Sequence, residues 1–523
     1  MSFATILDTL TTIIWSPALV FVCLAVGIFF TVSTLFMQIR CIPDMFQQMV
    51  GNDDSESGVS SFKALMISLA GRVGVGNIAG VATAIAYGGP GAVFWMWIVA
   101  IFGAATSFME CTLAQIYKEK DQDTGEYRGG PAYYIEKAFQ HTRARKFMLV
   151  YAIIFAVCMV LSGGYFLLGI QANGVADAMR NAWGINVWLS AAVSAVLVGV
   201  IIMGGVKRIA NFASLVVPFM AIIYILAAVI IMFVNFHHID DVFSLIFRSA
   251  FDREAMFSGM LGSAIMWGVK RGISSSEAGQ GAGPQSAAAA EVSHPAKQGF
   301  VQAFAVYAGT LFVCSATAFI ILSTDMYKVF EGESQDGPVR YAGQLADGVD
   351  VGPGFVQEGL NSFVPGIGAG FVALAIVLFA FTTVLAYYYM AETNLAYFNR
   401  WIPNHKVRVS LLIGLRVLAV ASVVIGATTT PGNAWALGDI GVGVTTWLNI
   451  IAITIVQIPA HKALWDYQRQ KKAGLDPVFE PEKLGIKNAD FWTVRAMEER
   501  IAAKRAAGDS DSKDEIDGKP NPQ

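Results

Sequence analysis

The chain of 523 residues is 55% hydrophobic and only 14% charged, with a formal net charge of −3. Soluble domains carry about a quarter charged residues, so an ordinary soluble enzyme is excluded, and the near-neutral balance excludes a nucleic-acid binder. Apolar runs recur at about 20 to 25 residues, the length that crosses a hydrocarbon core of roughly 30 Å.

In chain order, eleven membrane spans are predicted, at 14–39, 62–87, 90–117, 146–170, 186–206, 209–234, 256–290, 297–323, 364–398, 407–427 and 431–459. Residues 1–13 carry only Asp8 and no basic stretch, which is not the pattern of a cleaved signal peptide. Basic residues cluster between alternate spans: Lys118 to Lys146, then Lys207 and Arg208, then Lys297, then Arg400 to Arg408, then the tail after Ala460. The positive-inside rule therefore puts the N-terminus outside and the C-terminus in the cytoplasm. Between spans lie a basic loop at 118–145 and a long external loop at 325–363, rich in Gly and Asp. The domains read as 1–61, an N-terminal transmembrane helix with its cytoplasmic connector; 62–459, the core; and 460–523, a cytoplasmic tail. Within the tail, 493–507 reads as a charged helix and 508–523 as a disordered acidic end. The cysteines Cys23, Cys41, Cys111, Cys158 and Cys314 form no CxxC and read as packing residues.

Two spans contain more glycine than a packed helix needs. The second holds Gly71-Arg72-Val73-Gly74-Val75-Gly76-Asn77, and the seventh runs from Trp267-Gly268 through Gly272 to Glu277-Ala278-Gly279-Gln280-Gly281. Broken backbone inside a membrane is tolerated only where protein or a watery cavity covers it. With the first span set aside, these are helices one and six of ten. That is the phase of a 5+5 inverted repeat, the architecture of secondary transporters that bind substrate between discontinuous helices. The fold class is therefore an all-α polytopic membrane protein with broken first and sixth core helices. The half-helix N-terminus after Gly74 suits a carboxylate, the freed carbonyls suit a cation or ammonium, and Asn77 is placed as a cap for a half-helix starting at Ile78. A zwitterionic amino acid matches such a pair.

Charges at membrane depth include Arg72, Glu110, Lys270, Arg271, Glu277, Glu392, Arg416 and Asp439. Arg72, Lys270, Arg271 and Glu277 flank the breaks and are expected to form ion pairs across the two broken helices, as a cytoplasmic gate. Glu110, Glu392 and Arg416 read equally well as structural pairs. Thr382-Thr383 is the hydroxyl pair best suited to a hard cation, although taken alone it fits helix packing too. Trp267, Tyr165, Phe166, Phe379 and Phe381 are the aromatics available to seal a small side chain. No HExxH, Ser/His or paired-Asp pattern supports an enzyme, and Gly74–Gly80 lacks the strand and acidic residue of a dinucleotide site.

Three motifs resemble the sodium:alanine symporter family, the alanine or glycine:cation symporters, over about 61–467. They are Gly74-Val75-Gly76-Asn77-Ile78-Ala79-Gly80 with Gly88-Gly89-Pro90-Gly91-Ala92; Arg271-Gly272 with Ser275 and Glu277-Ala278-Gly279; and His294-Pro295-Ala296-Lys297-Gln298-Gly299. The resemblance implies a leucine-transporter-like fold and Na+-coupled import of a small neutral amino acid, alanine or glycine, across the inner membrane. Na+ is then a co-transported ion, with no organic cofactor. It further implies a substrate site at Gly74, Val75, Gly76 and Asn77, with Gly163, Gly164 and Gln171 from the third core helix and Trp267 and Gly268 from the sixth. Sodium would sit on the carbonyls of Ala70, Val73 and Phe379 with Thr382 and Thr383. Trp267, Lys270 and Ser276 depart from the family pattern, which leaves the amino acid open. Alternatives are H+ coupling, another neutral amino acid such as glutamine or serine, or a transporter-like sensor or channel. Oligomeric state is not readable from these residues.

Overall fold

The computed structural model describes residues 3–49, 57–234, 236–251, 253, 259–495 and 497. The expected acidic end at 508–523, and most of the expected charged helix at 493–507, lie outside them.

The chain opens with α1 (Phe3–Ile14) and α2 (Pro17–Ser33), then the short α3 (Met37–Arg40) and α4 (Ile42–Met49). The first apolar stretch is thus 3–33 rather than 14–39. It stops where Leu35 and Phe36 adopt φ of 55°, which a helix cannot continue through. The first half of the core is α5 (Ser61–Arg72), α6 (Val75–Gly88), α7 (Gly91–Ile116), a small hairpin β1 (Glu119–Lys120) and β2 (Tyr127–Arg128), α8 (Pro131–Ala138), α9 (Arg145–Leu161), α10 (Leu167–Trp183), α11 (Val187–Ile202) and α12 (Gly205–Val234). A connecting helix α13 (Ile239–Ala250) follows.

The second half is α14 (Leu261–Ser276), α15 (Gly283–Ala288), α16 (Pro295–Val306), α17 (Ser315–Ser323), the hairpin β3 (Lys328–Phe330) and β4 (Val339–Ala342), α18 (Pro353–Phe363), α19 (Gly368–Asn399), α20 (His405–Thr428) and α21 (Pro431–Val456). Wider π-type turns at Ser162–Phe166 and Tyr307–Cys314 join α9 to α10 and α16 to α17. The amphiphilic α22 (Ile458–Lys472) follows, and the chain is helical again over residues 490–495.

Nine stretches of the described residues are helical, long and apolar enough to cross a membrane. Two of the eleven expected spans are not among them: 186–206 is the 16-residue α11, and 256–290 is split into α14 and α15. The fourth runs on to Trp183 instead of stopping at 170. Its last turns carry Gln171, Asn173 and Asp177, which break the apolar run but face the protein interior, each less than a tenth exposed.

The two interrupted helices lie at the centre. α5 and α6 are almost wholly buried, and α14 packs along both α6 and α7. α19 packs on α5 and α10, which brings the eighth core helix against the first. The long hairpin-and-helix loop covers one end, with β3 and α18 against α6. At the opposite end the chain after α22 crosses the mouth. Phe479 donates its N–H to Ser293 O (3.0 Å), and Trp492 its indole N–H to Gln115 O (2.8 Å). The Lys118 ammonium lies under Tyr127, Phe491 and Trp492, at 4.3, 4.5 and 5.3 Å from the ring centroids.

Candidate functional site

The first break is confined to Val73 and Gly74, between α5 and α6. A Cβ on Gly74 would lie 2.7 Å from Thr383 Oγ1 and 2.8 Å from Gln171 Oε1, so close approach of two other helices demands glycine here. α6 starts at Val75, not Ile78, and Asn77 is its third residue. The Asn77 side chain reaches back to accept the Gly74 N–H (2.9 Å) and donates to Gly309 O (3.1 Å), so it closes the helix start from inside rather than from the N-cap position. The Val75 N–H is donated to Gln171 Oε1 (2.9 Å). These are the orphan donors that a helix start always presents.

The second break differs from the sequence expectation. α14 runs unbroken through Gly268 and Gly272 and ends at Ser276. At Gly268 a Cβ would meet Ala92 O and Trp95 Cβ at 2.5 Å, and at Gly272 the Val99 Cβ at 2.9 Å. Both glycines serve close packing of α14 on α7. The opening lies at Glu277–Ala282, where Glu277 has φ of 54° and Gly279 and Gly281 have φ of 81°. Glu110 on α7 replaces the lost helical partners: its carboxylate accepts the N–H groups of Gly279 (3.1 Å) and Gly281 (3.2 Å) and the Asn449 amide (2.7 Å). Asn449 also donates to Gly279 O (3.0 Å) and accepts the Tyr134 hydroxyl.

A cavity lies at the first break, among α5, α6, α10, α14, α19 and α21. Of the expected substrate residues, Gly74, Gly76, Asn77 and Gln171 line it. Ser274, Tyr387, Trp435 and Asp439, which carry no expected substrate role, line it as well. Tyr387 stands one helical turn after Thr383, a spacing that puts both on one face. Gly163 and Gly164 do not line it. They form the π turn that packs on α19 and α20, where a Cβ would meet Tyr387 O at 2.9 Å and Leu415 Cδ1 at 3.0 Å. Trp267 stands outside it, 5.0 Å from Tyr87 and beneath the Lys270 and Arg271 cations at 4.8 and 5.2 Å.

The four expected gate residues form two groups rather than one. Arg271 grips Asp439 on α21 with both terminal nitrogens (2.8 and 3.1 Å) and stacks 4.5 Å from Trp435. Lys270 adds a second cation to the same carboxylate (2.8 Å). Arg72 instead faces Glu277, Nε to Oε2 at 3.8 Å, while its terminal nitrogens bond Gln302 O (2.8 Å) and Ser107 Oγ (3.0 Å). Only this second pair joins the two broken helices. Glu392 pairs with Arg128 (2.8 Å), and Arg416 meets the Tyr388 hydroxyl (3.3 Å), away from the cavity.

Of the five residues expected around sodium, four meet at Thr383, whereas the Thr382 hydroxyl bonds carbonyls of its own helix, Leu378 O at 3.1 Å and Phe379 O at 3.0 Å. Thr383 Oγ1 is 2.7 Å from Ala70 O, 2.8 Å from Phe379 O and 3.3 Å from Val73 O. All five are buried, and all the donors are neutral oxygens, the set a hard monovalent ion prefers. No group of three His, Cys, Asp or Glu residues able to hold a metal occurs among the described residues.

Residues 1–481 match the sodium:alanine symporter family. The chain is 52% identical to the putative sodium/proton-dependent alanine carrier protein YrbD of Bacillus subtilis, over 92% of this chain and 96% of that one. It is 40% identical to the probable sodium/glutamine symporter GlnT of the same organism, over 92% of this chain and 94% of that one. In backbone it is similar to the crystal structure of MhsT in complex with L-phenylalanine, with 13% identity, a TM-score of 0.48, and coverage of 84% of this chain and 97% of that one. The motifs around Asn77 and Glu277, the helices broken beside them and the match across almost the whole length agree: the chain belongs to the sodium:alanine symporter family and is a multi-pass membrane transporter, not an enzyme.

Proposed function

We propose that the chain imports a small neutral amino acid, alanine or glycine, in symport with Na+ across the cytoplasmic membrane by alternating access, with its N-terminus outside. The observation that carries this reading is the convergence on Thr383 of the Ala70, Val73 and Phe379 carbonyls, beside a cavity built on the first break. The names of the relatives, an alanine carrier and a glutamine symporter, support amino acid transport and keep glutamine as the second substrate reading. The phrase "sodium/proton-dependent" likewise keeps H+ as the second coupling ion.

The substrate carboxylate would take the N–H groups of α6's first turn, including that of Val75, displacing Gln171. Gly76 leaves room beside them, since a Cβ there would meet nothing within 4 Å. Na+ would exchange the Thr383 hydrogen bonds for metal contacts. It would thereby tie the end of α5 to α19, the two elements that must part during the cycle. In the N-out orientation α6 and α14 form the outer halves. The Arg271–Asp439 pair with Trp435 then closes the outer side, and Arg72–Glu277 lies on the inner side. One clasp opening at a time gives alternating access.

A thermal-shift screen of the twenty amino acids on the purified protein, in Na+ and in choline, tests the reading. A ligand that binds only the folded state raises the melting temperature by mass action. Alanine or glycine should do so in Na+ and not in choline. A shift by neither, or an equal shift in choline, overturns it.

A further inference from the structure

The motif at 294–299 has no part in the cavity; it is where the segment after α22 docks. His294 caps α16. Its Nδ1 accepts the Ala296 N–H (3.1 Å), which leaves Nε2 to face Asp466 Oδ2 on α22 at 3.5 Å. Phe479 packs edge-on against the His294 ring, with centroids 5.3 Å apart. Ser293 accepts the Phe479 N–H and donates its hydroxyl to Pro477 O (2.8 Å), and Lys297 pairs with Asp476 (2.7 Å).

From there the segment crosses to the first half of the core. Asp490 pairs with Lys137 on α8 (3.4 Å), and the Asn488 amide donates to Lys137 O (2.7 Å). Trp492 is tied to α7 through Gln115 O. Arg495 turns back to the loop after α15, where it bonds the Glu291 carboxylate and Val292 O (3.1 Å). That loop carries the entry to α5. Val59 donates its N–H to Ala289 O (3.0 Å) and accepts the Glu291 N–H (2.8 Å), while Ser61 Oγ accepts the Gln298 amide (2.9 Å). One stretch of chain therefore joins α22, α16, α7 and α8, and clamps the loop on which α5 begins.

Its anchors are few. Pro477, Phe479, Pro481, Ile486, Ala489 and Trp492 are buried, most residues between them are exposed, and there is no regular helix before residue 490. Asp476 and Asp490 are 77% and 63% exposed, where ion pairs add little. A segment with few buried contacts and solvent-facing backbone opens well before the core does.

We infer that residues 473–495 are a strap that holds the cytoplasmic side shut, and that it leaves its dock each time the end of α5 parts from α19 to release the amino acid inward. The inference rests on the alternating-access reading above and adds to it a device outside the membrane core that gates inward opening.

Two experiments on the full chain test it. Lys297→Cys with Asp476→Cys, and Lys137→Cys with Asp490→Cys, put thiol pairs at the two ends of the strap. Each purified double variant is bridged with a short bis-methanethiosulfonate, mapped by mass spectrometry and reconstituted. Bridging should lower Na+-driven alanine uptake at least tenfold, leave the thermal shift by alanine in Na+ intact, and be reversed by dithiothreitol; the single variants treated alike are the control. Second, Ala489→Cys, a small change at a buried anchor, should react with a bulky maleimide several-fold faster during turnover in Na+ and alanine than in Na+ alone. Bridged protein that transports at the rate of the single variants, or labelling of Ala489→Cys at one rate in both conditions, overturns the inference. Absence of Na+-dependent alanine uptake in the parent protein, seen before any bridge is formed, would instead refute the symport reading itself.

Discussion

Thr383→Ala is the sharpest perturbation of the neutral cation cluster. The change removes the one oxygen that sits within 3.3 Å of the Ala70, Val73 and Phe379 carbonyls at once. Interactions with a charged partner are worth about 1.5–3 kcal/mol each. At 1.4 kcal/mol per factor of ten, loss of this ligand weakens Na+ binding roughly 10- to 150-fold. Losing the hydroxyl's own hydrogen bonds costs the fold about 1 kcal/mol, which is small enough to leave an expressed, folded protein. The assay is Na+ titration of alanine uptake in proteoliposomes at fixed pH and saturating alanine, with melting temperature measured on the same preparations. Thr383→Ser keeps Oγ1 and should retain near-parental Na+ dependence, although it loses the methyl group. An unchanged half-saturating Na+ concentration in the alanine variant would refute the reasoning, since Thr382, the neighbouring hydroxyl, reaches only the Phe379 carbonyl of the three.

Gly74→Ala should abolish uptake in a folded protein, because its methyl group would lie 2.7 Å from Thr383 Oγ1 and 2.8 Å from Gln171 Oε1; retained transport would contradict the geometry of the first break. Gly76→Ala meets nothing within 4 Å and points its methyl group into the cavity, so it should fold normally and shift preference from alanine toward glycine in competition uptake. Asp439→Asn leaves two buried cations with no counter-charge and should cost about 3–5 kcal/mol, whereas Lys270→Met preserves the Arg271–Asp439 pair and should be nearly neutral in thermal melting. Trp492→Ala removes a buried ring and its bond to Gln115 O, at a cost of about 3–5 kcal/mol, and should make the segment after α22 sensitive to limited proteolysis while the membrane core stays intact.

The first break was legible because glycine and asparagine in mid-span have few other uses. Its detail was not: whether Asn77 caps from position N-cap or reaches back from the third residue depends on where the Gly309 carbonyl stands, and that is tertiary information. The second break was located in the right span but spread too wide. Gly268 and Gly272 give the same local signal as Gly279 and Gly281, and only the closeness of α7 separates packing glycines from opening ones. Ion pairing was misjudged for a similar reason. Lys270 and Arg271 are near Glu277 along the chain, yet both reach Asp439 on α21 instead, while Glu277, just past the end of α14, faces Arg72. The converging oxygens at Thr383 were expected only through the family resemblance, since nothing in a lone Thr-Thr pair states which carbonyls it will meet. Glu110 stays open in the sequence because two of its partners are backbone amides, which no sequence motif displays.

The central claim is that sodium entry drives amino acid accumulation, and uptake into proteoliposomes tests it most directly. With an inward Na+ gradient at constant pH, labelled alanine or glycine should accumulate above its external concentration, and replacing Na+ with choline should abolish the accumulation. Undiminished accumulation in choline, or only equilibration in sodium, would contradict it.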